Sequence, residues 1–316
     1  MIEILMCTYN GEKYIEKQLD SIRLQTRQAD KLSIYDDIST DNTVAVINDY
    51  IKKYNLTDKW SVTINSQNKG WRKNFFDAIF ASCGDIIFFS DQDDIWELDK
   101  IEVMSSVMEA NENILKLNSK FTFIDPNDDF IKTDKEITTP TKELVQEPFL
   151  DTFSVKWSNR LACATAISKK LIDMLKGLPY NSSFSHDWFF ENIATALDAS
   201  FLIDYYSIKH RLHNSNASID VSHNALFTAD YANYIWLVFN DYFENVNEDY
   251  MAQANRFLKF ATIKKKVNTK FALISWFKLA FYPKYYKRYA RGLFLDLLAT
   301  LHLYDLIKNL RDKMVK

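Results

Sequence analysis

The stretch FFSDQDDIW, residues 88–96, sets three aspartates within four positions directly behind a run of large apolar side chains. Crowded carboxylates raise one another's pKa unless positive charge sits among them. A solvated surface turn would tolerate them. The run that leads into them, DIIFFS (85–90), is apolar without alternation, the pattern of a strand buried on both faces. Asp91, Asp93 and Asp94 are therefore expected at the carboxyl end of a parallel strand, where open α/β sheets collect ligands. Hard carboxylate oxygens there suit Mg²⁺ or Mn²⁺, ions that share their shell with substrate phosphates.

Outward from this point, strand and helix signals alternate. IEILM (2–6), KLSIYD (31–36), WSVTIN (60–65) and DIIFFS (85–90) are short apolar or β-rich runs. Helical spacing fills the gaps at 11–26, 40–54 and 72–83, with Ser39 the expected N-cap of the second helix. Such alternation means βαβ units and a parallel sheet. Another helix is expected over 97–117 and a strand over 120–125. Periodicity fades from 126 to 160, the pattern of a functional or mobile segment. Helical signals return at 166–176 and 187–199, SFLIDYYSIKHRL (200–212) reads as strand, and the chain is helical after about Ala225. The expected class is α/β, with a mostly parallel sheet flanked by helices and a helical C-terminal region.

A chain of 316 residues suggests two domains. The net charge of −3 conceals a split, because residues 256–316 hold 15 Lys/Arg against 3 Asp, leaving the rest at −15. Such a tail points to an anionic partner, membrane or nucleic acid. Three widely spaced cysteines (Cys7, Cys83, Cys163) match no metal-ligand spacing and read as reduced, mostly buried thiols of a cytosolic protein. No signal peptide is visible, and no apolar run is long enough to cross a bilayer.

Further motifs fall at strand ends. CTYNGEKY (7–14) offers Thr8 and Asn10 beside a helix start, or merely a capped turn. YDDISTDNT (35–43) offers Asp37 to an N–H of a nucleobase, or a helix cap; it lacks the glycine and terminal glutamate of a calcium loop. In NKGWRKNF (68–75), Gly70 permits close backbone approach, and Arg72 or Lys73 can reach a phosphate or ribose. FSHDWFFENI (184–193) sets Asp187 beside a histidine among aromatics, a setting for a general base or for an acidic helix start. IKHRLHNSNAS (208–218) presents Arg211 and His213, which can grip a diphosphate or complete a metal shell.

The order of TYN, DD-x-S-x-D-x-T, N-x-G, SDQDDIW and HDW resembles the family 2 glycosyltransferases of GT-A fold over at least residues 1–220. The likeness is greatest to the bacterial branch of rhamnosyltransferases and capsule or cell-wall polysaccharide transferases, where SDQDDIW, HDW and a trailing R-x-H recur. The resemblance implies an inverting, metal-dependent transfer from a nucleotide-diphosphate sugar. It places Thr8 and Asn10 around the nucleotide, Asp37 on the base, Lys73 near the nucleotide and Asp91 near the ribose. Asp93 becomes the direct ligand of Mn²⁺ or Mg²⁺, with Asp91 and His213 at the same ion and Arg211 at the diphosphate. Asp187 becomes the base that deprotonates the acceptor. Two positions depart from the family pattern: Ile38 stands where glycine is usual, demanding either a turn without positive φ or strain, and Ala162 replaces a glycine on the acceptor side.

The expected catalytic domain is 1–222, with a nucleotide-sugar half (1–100) and an acceptor half (101–222). The remaining 223–316 forms a basic, aromatic-rich helical region. Within it WFKLAFYPKYYKRYARGLF (276–294) interleaves eight aromatics with five basic residues, which suits the headgroup layer of an anionic membrane or a helical subdomain whose aromatics pack on the catalytic domain. The expected partners are a UDP- or dTDP-sugar, a lipid-linked saccharide and the membrane surface contacted by 256–316, with no nucleic acid. The expected location is cytoplasmic, on the inner face of the plasma membrane. Rhamnosyl transfer is favoured by HDW and RLH. A sugar-phosphate nucleotidyltransferase or a non-catalytic scaffold subunit are the alternatives; the first would need a glycine-rich N-terminal loop that the chain lacks, the second a damaged site.

Overall fold

The structure is a computed structural model that describes residues 1–133, 137–147, 161–176, 185–213, 246, 248–269, 273–283, 293 and 296–297. Two compact units are present, Met1–Glu147 with Arg160–Ile219, and Pro148–Asn159 with Asp220–Lys316.

The first unit is built on a nine-stranded sheet. Its opening half follows the alternation in the sequence: β1 (Ile2–Thr8), α1 (Ile15–Arg23), β2 (Lys31–Asp36), α2 (Thr43–Lys53), β3 (Trp60–Ile64), α3 (Trp71–Ala81) and β4 (Ile86–Ser90). These four strands are mutually parallel. Every residue of β1 and β4 is buried, because helices cover both faces. α1 turns Ile15, Leu19 and Ile22 inward at helical spacing, each at most 2% exposed. Burying such a side chain contributes about 1.5–3 kcal/mol.

Beyond β4 the sheet becomes mixed. β5 (Ile95–Trp96), α4 (Lys100–Ala110), β6 (Lys116–Ile124), β7 (Leu144–Gln146), β8 (Thr165–Ser168), α5 (Lys169–Leu175), α6 (His186–Ala196) and β9 (Ser200–Arg211) follow. β8 runs antiparallel between β4 and β6, while β6 and β9 are parallel. The helix expected over 97–117 stops at Ala110, and residues 116–124 are strand. The start of 166–176 is strand too. Short apolar runs do not distinguish helix from buried strand by periodicity, so tertiary pairing decided both. β5 and β7, at two and three residues, leave no periodic trace.

β9 spans 12 residues against nine in β6, and the surplus is absorbed by register shifts around Lys120. Such a bulge bends and twists the strand. The late part of β9 then pairs with β5, Lys209 against Ile95. His210, Arg211 and His213 are thereby carried behind the aspartates of 91–94.

Of the second unit, α7 (Glu248–Thr269) and α8 (Leu273–Leu279) are described. α7 buries Tyr250, Ala254, Phe257 and Ala261 along one face. Much of the expected aromatic-basic stretch, including 284–292, lies outside the described residues, as do 134–136 and 148–160 of the segment where periodicity fades. Among the described residues no helix is long and apolar enough to cross a membrane.

Candidate active site

At the carboxyl ends of β1, β2 and β4 lies a cavity of about 360 Å³. Thr8, Asp37, Asp91, Asp93 and Asp187 line it, together with Tyr9, Asn68, Gly70, Trp71, Phe75, Gln92, Ala162, His186 and His210. Five of the expected site residues are thus brought together. Asn10, Lys73, Arg211 and His213 are not in its wall, and each has a visible occupation.

The turns beneath the cavity are tied to one another. Thr8 Oγ1 donates to Asp36 at 2.8 Å, and Asn10 Oδ1 accepts from Thr40 N at 2.7 Å. Ser39 is no helix cap: its hydroxyl donates to Asp36 and accepts from Asn10 N, and α2 begins after Asn42. Ile38 adopts φ 61, so the turn is built with strain rather than around it; a β-branched residue there is an outlier. Gln92 both accepts from Tyr9 N and donates to Tyr9 O, at 2.9 Å each. Its amide passes so close to Gly11 that a Cβ there would meet Oε1 at 2.3 Å.

Asp37 is 3% exposed and accepts from Asn65 at 2.9 Å and from the backbone N–H groups of Lys69 and Gly70 at 2.8 Å. A carboxylate offers about four lone-pair sites, so room for one more donor remains. Gly70 is needed for its φ of 77, which lets its N–H face Asp37; space is not the issue, since a Cβ would meet nothing within 4 Å. Lys73 is exposed and pairs with Asp77 at 2.8 Å.

Positive charge among the aspartates comes from β9. His210 Nδ1 lies 2.8 Å from Asp94, whose same oxygen accepts from Arg211 N at 3.0 Å. Burial alone would lower His210, but Asp94 outweighs it and carries the imidazole up to about 9. Burial likewise works to raise Asp94, and His210 overcomes it, holding the carboxyl below its ordinary value. Arg211 is fully buried; its Nε donates to Asp93 O at 2.7 Å, its Nη1 to Asp125 O at 3.0 Å and to Asp128. Its guanidinium lies 4.6 Å from the Tyr14 ring centre. It positions the loop that carries Asp93.

Negative charge still exceeds positive at the cavity wall. Burial, then Asp94 and Asp93, push Asp91 up to about 7. Burial and Asp94 also raise Asp93, against the pull of His213. His213 Nε2 stands 2.7 Å from Asp93 Oδ2 with its ring stacked on Tyr14. A divalent cation would relieve this excess. Mg²⁺ and Mn²⁺ sites commonly use one or two carboxylates and complete the shell with substrate phosphates and water. Asp93 with Asp91 or His213 fits that demand. Among the described residues, Asp94, Cys163 and His210, all buried, also bring three donor atoms within 4.8 Å of one another, and there the carboxylate and imidazole are engaged with each other. Cys7 and Cys163 are buried free thiols, and Cys83 is exposed.

Asp187 stands in the first turn of α6, its Oδ1 accepting from Trp188 N at 2.8 Å. Ala162 opens a 3₁₀ turn across the cavity wall.

The glycosyl transferase family 2 model matches residues 3–167, more than half of the chain. The chain belongs to glycosyl transferase family 2. This family 2 glycosyltransferase is 30% identical to the dTDP-rhamnosyl transferase RfbG of Shigella flexneri over 237 residues, covering 72% of this chain and 76% of that protein. It is 27% identical to the abequosyltransferase RfbV of Salmonella typhimurium over 158 residues, 48% of this chain and 47% of that one. Its fold is similar to that of S. aureus TarS 1-349 in complex with UDP-GlcNAc, with a TM-score of 0.61 at 15% identity, covering 95% of this chain and 81% of that chain. At that identity the likeness concerns the GT-A fold. As a glycosyltransferase the chain is an enzyme, and the family match takes in the strands that carry Thr8, Asp37, Asp91 and Asp93.

Sequence reasoning missed Gln92, His186 and His210. Gln92 sits inside SDQDDIW, and the two histidines abut singled-out residues, so proximity was the available signal. Their partners, Tyr9, the α3 aromatics and Asp94, are distant in sequence.

Proposed function

We propose that this glycosyltransferase moves a sugar, with inversion, from a nucleoside-diphosphate sugar to a saccharide acceptor. The observation that carries the reading is the convergence of Asp37, Asp91, Asp93 and Asp187 on one cavity of about 360 Å³. Asp37 accepts from the base, Thr8 and Asn10 shape the turns around the nucleotide, and Asp91 faces the ribose. Asp93, with Asp91 and His213, would hold Mn²⁺ or Mg²⁺, which would supply positive charge toward the diphosphate leaving group. Arg211 keeps the Asp93 loop in place, and Lys73 adds positive charge at the outer rim. Asp187 takes the proton of the attacking hydroxyl, a contribution of about 10²–10⁴-fold.

The family 2 relatives named as rhamnosyl and abequosyl transferases favour a deoxysugar donor, dTDP-linked by analogy with RfbG; a UDP-sugar is the other choice. The acceptor is a lipid-linked saccharide of bacterial surface polysaccharide synthesis. The catalytic region is 1–222, and the basic 223–316 holds the enzyme peripherally on the cytoplasmic face of the membrane.

A thermal-shift panel of UDP, dTDP, GDP and CMP, each with Mn²⁺ and with chelator, tests the site. The expected result is a metal-dependent rise with one nucleotide, lost in Asp93→Ala. No rise with any nucleotide removes the donor site. Asp187→Asn should retain that rise while transfer falls about 10²–10⁴-fold; undiminished transfer would remove Asp187 from the mechanism.

A further inference from the structure

His186 opens α6, and its side chain is only 2% exposed. Four aromatic rings enclose it. Phe75 stacks at 4.4 Å, while Phe89 at 5.3 Å, Trp71 at 6.2 Å and Phe76 at 6.3 Å present edges. The same imidazole forms part of the cavity wall beside Asp187. Neither Nδ1 nor Nε2 has a hydrogen-bond partner among the described residues.

A buried polar atom left unpaired costs about 1–3 kcal/mol, and each such group calls for a reason. Phenylalanine would fill this aromatic cage without that cost. Charge is not the reason, since burial drives the imidazole down to about 4 and leaves it neutral at ordinary pH. A neutral imidazole presents one donor and one acceptor. The two point away from each other, so one hydroxyl meets one of them, and because it both donates and accepts it can pair with either. A phosphate oxygen would satisfy only the donor.

The cage is built from α3 and β4, on the nucleotide side, whereas the next residue is the proposed base. In an in-line displacement the leaving group and the attacking hydroxyl lie on opposite sides of the transferred sugar. A group set between those two sides faces the sugar itself. We propose that His186 is a specificity-determining residue, one of whose ring nitrogens hydrogen-bonds a hydroxyl of the transferred donor sugar. This rests on the donor site proposed above and adds the sugar-reading residue to it.

Calorimetric titration of the full chain in Mn²⁺ tests the proposal, using UDP, UDP-glucose, UDP-GlcNAc, dTDP and dTDP-rhamnose. Failure of every one to bind wild-type protein would defeat the donor site itself. Given binding, His186→Phe should hold the bare nucleoside diphosphate as wild type does and lose about 10-fold in affinity for the nucleotide-sugar. His186→Gln, with a donor and an acceptor, should recover part of that loss. Equal affinities of His186→Phe and wild type for the nucleotide-sugar, or equal losses for both ligands, overturn the proposal. A variant-free measurement guards against misfolding: in ¹⁵N-histidine protein, the His186 ring-nitrogen resonances should move with the nucleotide-sugar and not with the diphosphate. Movement with both, or with neither, overturns it as well.

Discussion

Ile38 shows how one residue records the demands of the site. The turn after β2 must bring Asp37 under the cavity and return Ser39 to Asp36, and this requires φ 61 at position 38. Left-handed backbone costs an L-residue about 1–2 kcal/mol. With the side chain 37% exposed, packing does little to offset it. At an ordinary position alanine is more stable than glycine by roughly 0.5–1 kcal/mol. Here the order should reverse: Ile38→Gly should exceed Ile38→Ala by about 1 kcal/mol in urea denaturation. Alanine equal to or above glycine would show that the turn relaxes without the strain. The same turn explains why Thr8 and Asn10 look like ligands in the sequence yet spend their side chains on Asp36 and Thr40. Those bonds fix the shape of the loop.

Among the elements, α8 carries the clearest asymmetry of exposure. Ile274 is 77% exposed and Phe277, one turn on, 64%; Phe281 follows at 76%, while Leu279 is buried. Lys278 is exposed among them, and no acidic residue occurs between Asp249 and Asp296. An apolar helix face edged with basic charge suits the headgroup layer of an anionic membrane, and each basic residue near that surface adds about 1 kcal/mol. The protein should float with vesicles containing phosphatidylglycerol at low salt and stay behind with purely zwitterionic ones. Replacing Ile274, Phe277 and Phe281 by serine should abolish flotation without altering the melting temperature. Flotation unchanged by those substitutions would remove α8 from membrane attachment. β9 makes the complementary point about elements: its surplus residues read as plain strand, and only pairing with β6 turned them into the bulge that delivers His210 and Arg211.

The molecule as a whole carries two buried histidines displaced in opposite directions, His186 down to about 4 and His210 up to about 9. An unfolded histidine titrates near 6.5. Between about pH 4 and 6.5 the unfolded chain therefore binds a proton at His186 that the folded chain refuses. The corresponding stability is complete above 6.5 and is lost as pH falls toward 4. For His210 the signs reverse: its contribution is complete below 6.5 and lost as pH rises through 9. Denaturation measured from pH 4 to 9 should show the acid limb shallower in His186→Phe by about 1.4 kcal/mol per pH unit, the slope of one proton. The alkaline limb should coincide in the two proteins. An unchanged acid limb would mean that His186 takes up its proton without unfolding the chain.

The sequence by itself determined the α/β class, the parallel opening half and the acidic strand end, because hydrophobic period and local turn chemistry act between near neighbours. It also singled out Asp37, Asp91, Asp93 and Asp187, which line one cavity, through the order of short motifs, no one of which marks a site alone. Tertiary structure alone decided the rest. That β8 enters between β4 and β6, that Arg211 supports the Asp93 loop from full burial, that Lys73 turns to Asp77, and that His186 sits unpaired in an aromatic cage all depend on contacts between distant segments. A residue's type tells what bonds it can form. Which of them it does form is set by the neighbours that the sheet and its helices bring within reach.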